Sequence, residues 1–502
     1  MLELTIRQPD QQAIDTLAIP VCEDADIHDS PVIQQLVSRA NALEEFSAKS
    51  KEQVTFYDPP EAGVRRVIFV GLGKQEDIGA RRLRAFAGKV VGKCIAGGLE
   101  KLVLAVPTAR GVALEPAVVI RSLAEGAVLG NHVFGRYKKS GDKKPLKKIR
   151  LLVKPTDLQL YQSLVERITE ICRATHLARD WVNIPANDKR PAQLAEILQE
   201  AGKKAGLRAR VLDELQLEQM GCGAILAVAG GSQSPPRMVV LEHGPEEKEA
   251  PTVLLVGKGV TFDSGGLHLK GSQHLAGMKA DMAGAAAVAA TMTVLPRLDL
   301  KLHVVGVMPL VENMPSGTAV RTGDVIRTFS GKTVEVANTD AEGRLILADA
   351  ISYGLQTYDP EVVIDLATLT GACVVALGER MAAVFSPDRS LEATIHEAGR
   401  STGERCWPMP LPDDYREFLE SEIADISNLP STRYGGAITA ALFLREFVGR
   451  CRWAHLDIAG PAFARKASDY CGPGGTGFGV RLVCQVLDEL NKTFRPSGFT
   501  LC

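Results

Sequence analysis

The chain has 502 residues, 45% of them hydrophobic and 24% charged, a composition that excludes a disordered or collagen-like polypeptide. At roughly 100–200 residues per domain, two or three domains are expected. Lys and Arg number 58 against 60 Asp and Glu, so the net charge is −2 and a nucleic-acid or membrane-surface role needs a local basic patch. With 47 Gly but only 15 Phe, 8 Tyr and 3 Trp, the core reads as aliphatic α/β with many tight turns.

The start, Met1-Leu-Glu-Leu-Thr-Ile-Arg-Gln-Pro-Asp10, has neither a basic segment followed by an apolar one nor a Ser/Arg-rich pattern. No stretch reaches the ~18 apolar residues of a membrane span. The nearest, 282–295, is short, Ala-rich and ended by Pro296. Ten cysteines are scattered without a Cys-x-x-Cys pair, which reads as reduced thiols rather than a disulfide frame or zinc knuckle. A cytoplasmic protein is expected.

In chain order, apolar runs at 67–72, 101–106 and 148–153 predict buried strands, and 80–95 and 116–129 predict helices, the latter with Pro116 in its first turn. These make an N-terminal α/β domain, 1–156. Leu160, Leu164, Ile168, Ile171, Ala174 and Leu177 recur at helical spacing, predicting a connecting helix over 157–182. Asn183-Ile-Pro-Ala-Asn-Asp-Lys-Arg-Pro191 closes it and opens a C-terminal domain, 183–502. There, strands at 237–242, 252–257, 302–307, 362–366 and 454–458 alternate with helices, predicting a helix-covered, largely parallel central sheet. In such sheets ligands sit beyond the carboxyl ends of the strands.

Two segments there carry chemistry. Val256-Gly-Lys-Gly-Val-Thr-Phe-Asp-Ser-Gly-Gly-Leu-His-Leu-Lys270 presents Lys258, Asp263 and Lys270 after a strand, and Asp281 follows at a helix start. In Asn338-Thr-Asp-Ala-Glu-Gly-Arg-Leu345, Asp340, Glu342 and Arg344 recur at spacing two. In an extended stretch that spacing would point them one way, about 6.5–7 Å apart, with a helix beginning just after Arg344. Four converging carboxylates repel one another unless cations lie among them. Two divalent ions would balance Asp263, Asp281, Asp340 and Glu342, with Lys258 bound as a neutral amine. An oxygen-rich set without Cys favours Mn, Mg or Zn. Two metals sharing a water make a hydroxide nucleophile and polarise a carbonyl.

Both segments resemble the leucyl aminopeptidase (cytosol aminopeptidase) family, whose Asn-Thr-Asp-Ala-Glu-Gly-Arg-Leu signature stands unbroken at 338–345. The likeness extends over about 183–487 and includes Leu366-Ala-Thr-Leu-Thr-Gly-Ala372 and His455-Leu-Asp-Ile-Ala-Gly460. The resemblance implies a metal-dependent aminopeptidase that removes N-terminal residues, preferably leucine or another apolar residue, from peptides. It implies two divalent ions per subunit, Mn²⁺ favoured and Zn²⁺ the alternative, held by Lys258, Asp263, Asp281, Asp340 and Glu342. Asp263 and Glu342 would bridge, and Asp340 would add its backbone carbonyl. Lys270 would stabilise the oxyanion, and Arg344 would hold a bicarbonate acting as general base. Met278, Thr368, Gly371 and Ala459 would line the side-chain pocket, and the subunits would form a homohexamer. Ala462, where a larger Met can stand in the family, and His268, where a small residue is common, depart from the pattern and bear on substrate preference.

Plainer readings compete elsewhere. His268 alternates onto the face of Lys270 if that stretch is a strand, yet reads as a packed or solvent-edge histidine. Asp365 and Asp457, in apolar strands, read as hydrogen-bonded structural carboxylates. Ser330-Gly-Lys-Thr333 is not a phosphate loop: Ile326 stands where glycine is required, and a strand-like Val334-Glu-Val336 follows. Val70-Gly-Leu-Gly73 lacks the third glycine of a dinucleotide fingerprint. The basic run 138–150 reads as a solvated loop. A DNA-binding role through it, which the net charge does not support, would show as binding lost steeply with salt. A dinuclear phosphoesterase is the enzymatic rival, though such sites usually recruit His and extra cations for the phosphate.

Overall fold

A computed structural model describes residues 1–6, 15–60, 63–138, 143–245 and 250–494. The chain forms two compact units, one of residues 1–176 with 466–473, the other of 177–465 with the residues from Gly474 on. A single helix, Pro155–Asn183, occupies the stretch read as a connector, and the division between units falls inside it after His176. The return of 466–473 to the first unit has no counterpart in the sequence reading.

The first unit holds a six-stranded sheet: β1 (Leu2–Thr5), β2 (Leu17–Val21), β3 (Gln53–Tyr57), β4 (Arg66–Gly71), β5 (Lys101–Ala105) and β6 (Lys148–Leu152). Their order is β1-β6-β5-β2-β4-β3, all parallel except β3, which runs antiparallel to β4 at the edge. Val67, Ile68, Phe69 and Val70 are all buried, which is why this strand reads as an unbroken apolar run. Helix Ala80–Ala96 turns Leu83, Phe86, Ala87, Val90, Val91 and Cys94 inward at helical spacing, and Pro116–Gly130 belongs to the same core.

The second unit holds β7 (Arg208–Leu212), β8 (Arg237–His243), β9 (Thr252–Gly257), β10 (Gly259–Asp263), β11 (His303–Asn313), β12 (Val325–Arg327), β13 (Thr333–Glu335), β14 (Val362–Ala367), β15 (Ala382–Phe385), β16 (Cys406–Pro408), β17 (Ile426–Ser427) and β18 (Arg452–Asp457). The main sheet has the order β16-β15-β18-β14-β9-β11-β8-β7, with β10 also paired to β11. Its centre, β18-β14-β9-β11, is parallel, and antiparallel pairs flank it at β15–β18, β11–β8 and β8–β7. This is the two-domain α/β architecture with a largely parallel sheet in the larger domain that the sequence predicts.

The Ala-rich stretch nearest to a membrane span forms helix Ala283–Val294, in which every residue except Thr293 is buried, so it is apolar on all sides for packing reasons. Among the described residues, no helix is long and apolar enough to cross a membrane. Ser330-Gly-Lys332 forms the turn joining the antiparallel pair β12–β13.

Candidate metal centre

The sequence motifs meet at the carboxyl edge of the parallel strands. Lys258 occupies a one-residue break between β9 and β10; its N–H donates to the Leu366 carbonyl at 3.0 Å and its carbonyl accepts from Ala285 N–H at 2.8 Å. Glycines allow this close fit: a Cβ on Gly284 would lie 2.1 Å from the Leu366 oxygen, and one on Gly257 2.6 Å from the Gly284 oxygen. Asp263 ends β10, and Asp281 lies in the turn before helix Ala283–Val294. Thr368 follows β14, and Asp457 ends β18.

The Lys258 ammonium lies 2.9 and 2.8 Å from the two Asp281 oxygens and 2.8 Å from Glu342 Oε1, and donates to the Thr368 carbonyl at 2.9 Å. Thr368 Oγ1 donates to Asp281 Oδ1 at 2.7 Å. Lys270 Nζ lies 2.8 Å from Asp263 Oδ2 and also pairs with Asp340 Oδ1. Asp263, Asp340 and Glu342 each offer an oxygen within 4.8 Å of the others'. Asp263 Oδ1 accepts from Gly265 N–H and Asn313 Nδ2, both at 2.9 Å.

This set is short of positive charge. Burial, reinforced by Asp263, pushes the Glu342 carboxyl up to about 8 despite Lys258. Burial, with Asp263 again adding, takes Asp281 to about 6, and the same two causes raise Asp340. Burial works against the charge on Lys258, but Asp281, Glu342 and Asp263 together outweigh it and hold its pKa above the usual lysine value. Lys270 is held up likewise, chiefly by Asp263 and Glu342 against its burial. Four carboxylates face two ammoniums, and Glu342 Oε2 is buried with no hydrogen-bond partner. That surplus of buried, oxygen-rich negative charge fits divalent cations.

Residues 176–484 match the catalytic domain of the cytosol aminopeptidase family, and 23–141 match that family's N-terminal domain. The chain belongs to the cytosol aminopeptidase family. It is therefore a metal-dependent aminopeptidase, a hydrolase. Among relatives, a "Probable cytosol aminopeptidase" of Chlorobium phaeobacteroides is 42% identical over 490 residues, covering 95% of this chain and 97% of that one. One of Geobacter sulfurreducens is 44% identical over 425 residues, 84% of each chain. Of solved structures, the bottromycin maturation enzyme BotP in complex with Mn superposes with a TM-score of 0.84 at 38% identity, covering 95% of this chain and 100% of that one. A tomato leucine aminopeptidase mutant gives a TM-score of 0.85 at 32% identity, covering 97% and 96%.

Within this family member, six residues singled out in the sequence form one contiguous cluster: Lys258, Asp263, Lys270, Asp281, Asp340 and Glu342. Two local expectations need correction. The helix starts at Glu342, after the N-cap Ala341, so Asp340, Glu342 and Arg344 do not share an extended stretch. Arg344 lies in the helix's first turn, buried, with Nη1 donating to the Asn428 carbonyl at 2.8 Å and Nε without a partner. Burial lowers its pKa to about 10. His268 is not on a strand: the residues after Asp263 form turns, and exposed His268 accepts from Thr339 N–H through Nδ1 at 3.2 Å.

Thr368 and Ala459 lie in loops and Gly371 opens helix Gly371–Leu377, and Asp457 ties these segments together. Its carboxylate accepts from Leu369 N–H (3.2 Å), Thr370 N–H (3.1 Å), Thr370 Oγ1 (2.7 Å) and Ala459 N–H (3.1 Å). Met278 opens the tight turn leading to Asp281, half-buried. Asp365 is also a hydrogen-bonded structural carboxylate, 2.6 Å from His455 Nδ1 and accepting from Trp453 Nε1 at 2.7 Å. Two supporting residues escaped the sequence reading. Asn313, at the end of β11, bridges Asp263 to the Thr339 carbonyl. Asn428 accepts from the Ala337 and Asn338 N–H groups and donates to the Asn338 carbonyl. No spacing rule marks either, because each reaches the motif from a distant segment. A cavity of about 1080 Å³ lies in the first unit, lined by Asp26, His28, Thr108 and Arg110 among others, and none of the predicted site residues borders it.

Proposed function

We propose that the chain hydrolyses the N-terminal residue, preferably leucine or another apolar residue, from peptides with a free α-amine. The observation that carries this is the buried cluster of four carboxylates and two lysines at the carboxyl edge of the sheet. Lys258, Asp263, Asp281, Asp340 and Glu342 would hold two divalent ions, Mn²⁺ in the favoured assignment and Zn²⁺ in the alternative. Bound there, such ions supply Lewis acidity and a water acidic enough to act as nucleophile near neutral pH.

The chain's own groups do the rest. Lys258 must give up a proton to become a ligand, reversing the state its carboxylate neighbours favour. Lys270, more exposed than Lys258, donates to the scissile carbonyl oxygen as negative charge develops there. Arg344 holds a bicarbonate, which supplies a base; the unpartnered Nε–H supports this role. Asp281 orients the substrate amine, and Met278, Thr368, Gly371 and Ala459 receive the side chain, the two small residues leaving room for a branched one. A homohexamer in the cytoplasm completes the reading, on the family's pattern. The basic run 138–150 is not assigned a DNA partner; its residues 139–142 lie outside the described residues.

The test compares Leu-p-nitroanilide with its N-acetylated form. Acetylation removes the amine's lone pair and disturbs alignment, which alone is worth several kcal/mol. kcat/KM on the acetylated compound should fall to background while the free amine is cleaved, and cleavage of the free amine should vanish with chelator and return with Mn²⁺. Comparable rates on the two would exclude an aminopeptidase of this kind.

A further inference from the structure

One buried lysine lies outside the cluster just described. Lys189 is 0% exposed, and its Nζ reaches only neutral acceptors: the Trp181 and Val182 carbonyls at 3.0 and 2.9 Å and Met282 Sδ at 3.4 Å. Among the described residues it has no carboxylate partner, so burial pushes its pKa down to about 6, with Lys279 adding to the effect. An unpaired buried lysine is costly and persists only where the surrounding structure holds it. What holds the amine there is the carbonyl end of helix Pro155–Asn183, which accepts its N–H donors.

The other end of this contact is what matters. Met282 directly follows Asp281, and Lys279, two residues before Asp281, donates to the Asn183 carbonyl at 3.0 Å. Within the turn, Ala280 N–H donates to the Gly277 carbonyl at 3.0 Å, but the bond at Asp281 itself, from its N–H to the Met278 carbonyl, is longer at 3.4 Å. Two lysines thus fasten both flanks of Asp281 to three consecutive carbonyls, those of Trp181, Val182 and Asn183.

We propose that Lys189 is a positioning residue for the metal centre: it pins the Asp281 turn to the helix end, with Lys279 making the second tie. The inference rests on the dinuclear reading above. Asp281 would be a ligand to only one of the two ions, so the tie should govern that ion and spare its neighbour. Outer residues that orient metal ligands typically change affinity by about 10–100-fold.

The experiment measures Mn²⁺ bound per chain by equilibrium dialysis over a range of free Mn²⁺, for wild type, Lys189→Met and Lys279→Met, with circular dichroism and thermal melting on the ion-free proteins. Wild type should bind two ions. Lys189→Met should bind one with unchanged affinity and the other about tenfold or more weakly, and Lys279→Met should show the same selective loss to a smaller degree. Wild-type affinity for both ions in folded Lys189→Met, or equal weakening of both, overturns the proposal. If Lys189→Met fails to fold, Lys279→Met decides: selective loss supports the tie and unchanged binding of both ions refutes it. Failure of wild type to bind two ions would instead refute the dinuclear reading itself.

Discussion

Gly343 tests whether the site depends on where Lys258 sits. Gly343 is the second residue of helix Glu342–Tyr358, with no backbone conformation that demands glycine. A Cβ there would lie 2.6 Å from Lys258 Cε and 2.8 Å from its Cδ and Nζ, whereas ordinary contact begins at 3.4 Å. In Gly343→Ala the lysine must therefore retreat by about 0.8 Å, away from a pocket it shares with Asp281, Glu342 and the Thr368 carbonyl. Two terms oppose each other in stability. Alanine favours the helix by up to about 1 kcal/mol, and loosening one charged hydrogen bond costs about as much or somewhat more. The melting temperature should move by no more than a few degrees. Activity has no such compensation, because a misplacement near 1 Å can cost about 10²-fold. kcat/KM on Leu-p-nitroanilide should fall by about that factor in a protein that melts normally. Gly92→Ala is the control: Gly92 lies in helix Ala80–Ala96 with nothing within 4 Å of the added carbon, so it should gain stability and keep full activity. Gly343→Ala with activity within threefold of wild type would refute the dependence on Lys258 placement.

Three further outcomes follow from the same geometry. Lys270→Ala should lower kcat by about 10²–10³ with both ions retained, the scale of losing an oxyanion donor; loss of an ion, read by metal analysis, would make Lys270 part of the ion-holding set instead. Glu342, raised to about 8, takes up a proton on folding, so the ion-free protein loses stability from this group as pH rises from about 4.5 through 8. In chelator, Glu342→Gln should accordingly melt higher than wild type at pH 8 and lose that advantage by pH 5, and a pH-independent difference would show that Glu342 does not titrate in this range. Asp457→Asn puts amide donors where four N–H and O–H donors converge, and should cost about 2–5 kcal/mol in denaturant unfolding and raise KM as the Thr368 and Ala459 loops shift. Unchanged KM would mean those loops do not shape the substrate pocket.

The strands that build the site were legible because both faces of the central sheet are covered, so β9, β11 and β14 read as apolar runs. β2 was not. Pro20 sits inside it, and a proline argues against a central strand. The structure accommodates it because β2 pairs with β5 only at Leu17 and Ala18, ending before the missing N–H would be needed. The six clustered residues were legible because they fall in two short segments, each just after a strand. Arg344 was misplaced by two residues of helix: the spacing-two pattern suits a strand, but capping begins at Ala341, and the first turn swings Arg344 toward Asn428. Asn313 and Asn428 lay beyond reach for a different reason. Their roles exist only once β11 and the segment after β17 are brought beside the 338–342 turn, and a sequence without pairing information does not encode that adjacency locally.

The placement of the two lysines explains how so acidic a site can belong to a stable fold. Four carboxylates gathered at buried and half-buried positions would destabilise the chain if left alone, yet each lysine spans two of them: Lys258 lies between Asp281 and Glu342, and Lys270 between Asp263 and Asp340. Half of the negative charge is thereby met by the protein's own cations. The other half is met in part by proton uptake, since Glu342 and Asp281 both titrate well above the ordinary carboxylate range. The ion-free fold is thus held together by protons and ammoniums occupying a region whose donor chemistry suits divalent ions. If Lys258 and Glu342 hold those ions as proposed, uptake would displace their protons and free Lys270 from its pairing. On the proposed reading, that release would leave Lys270 free to donate to the developing oxyanion.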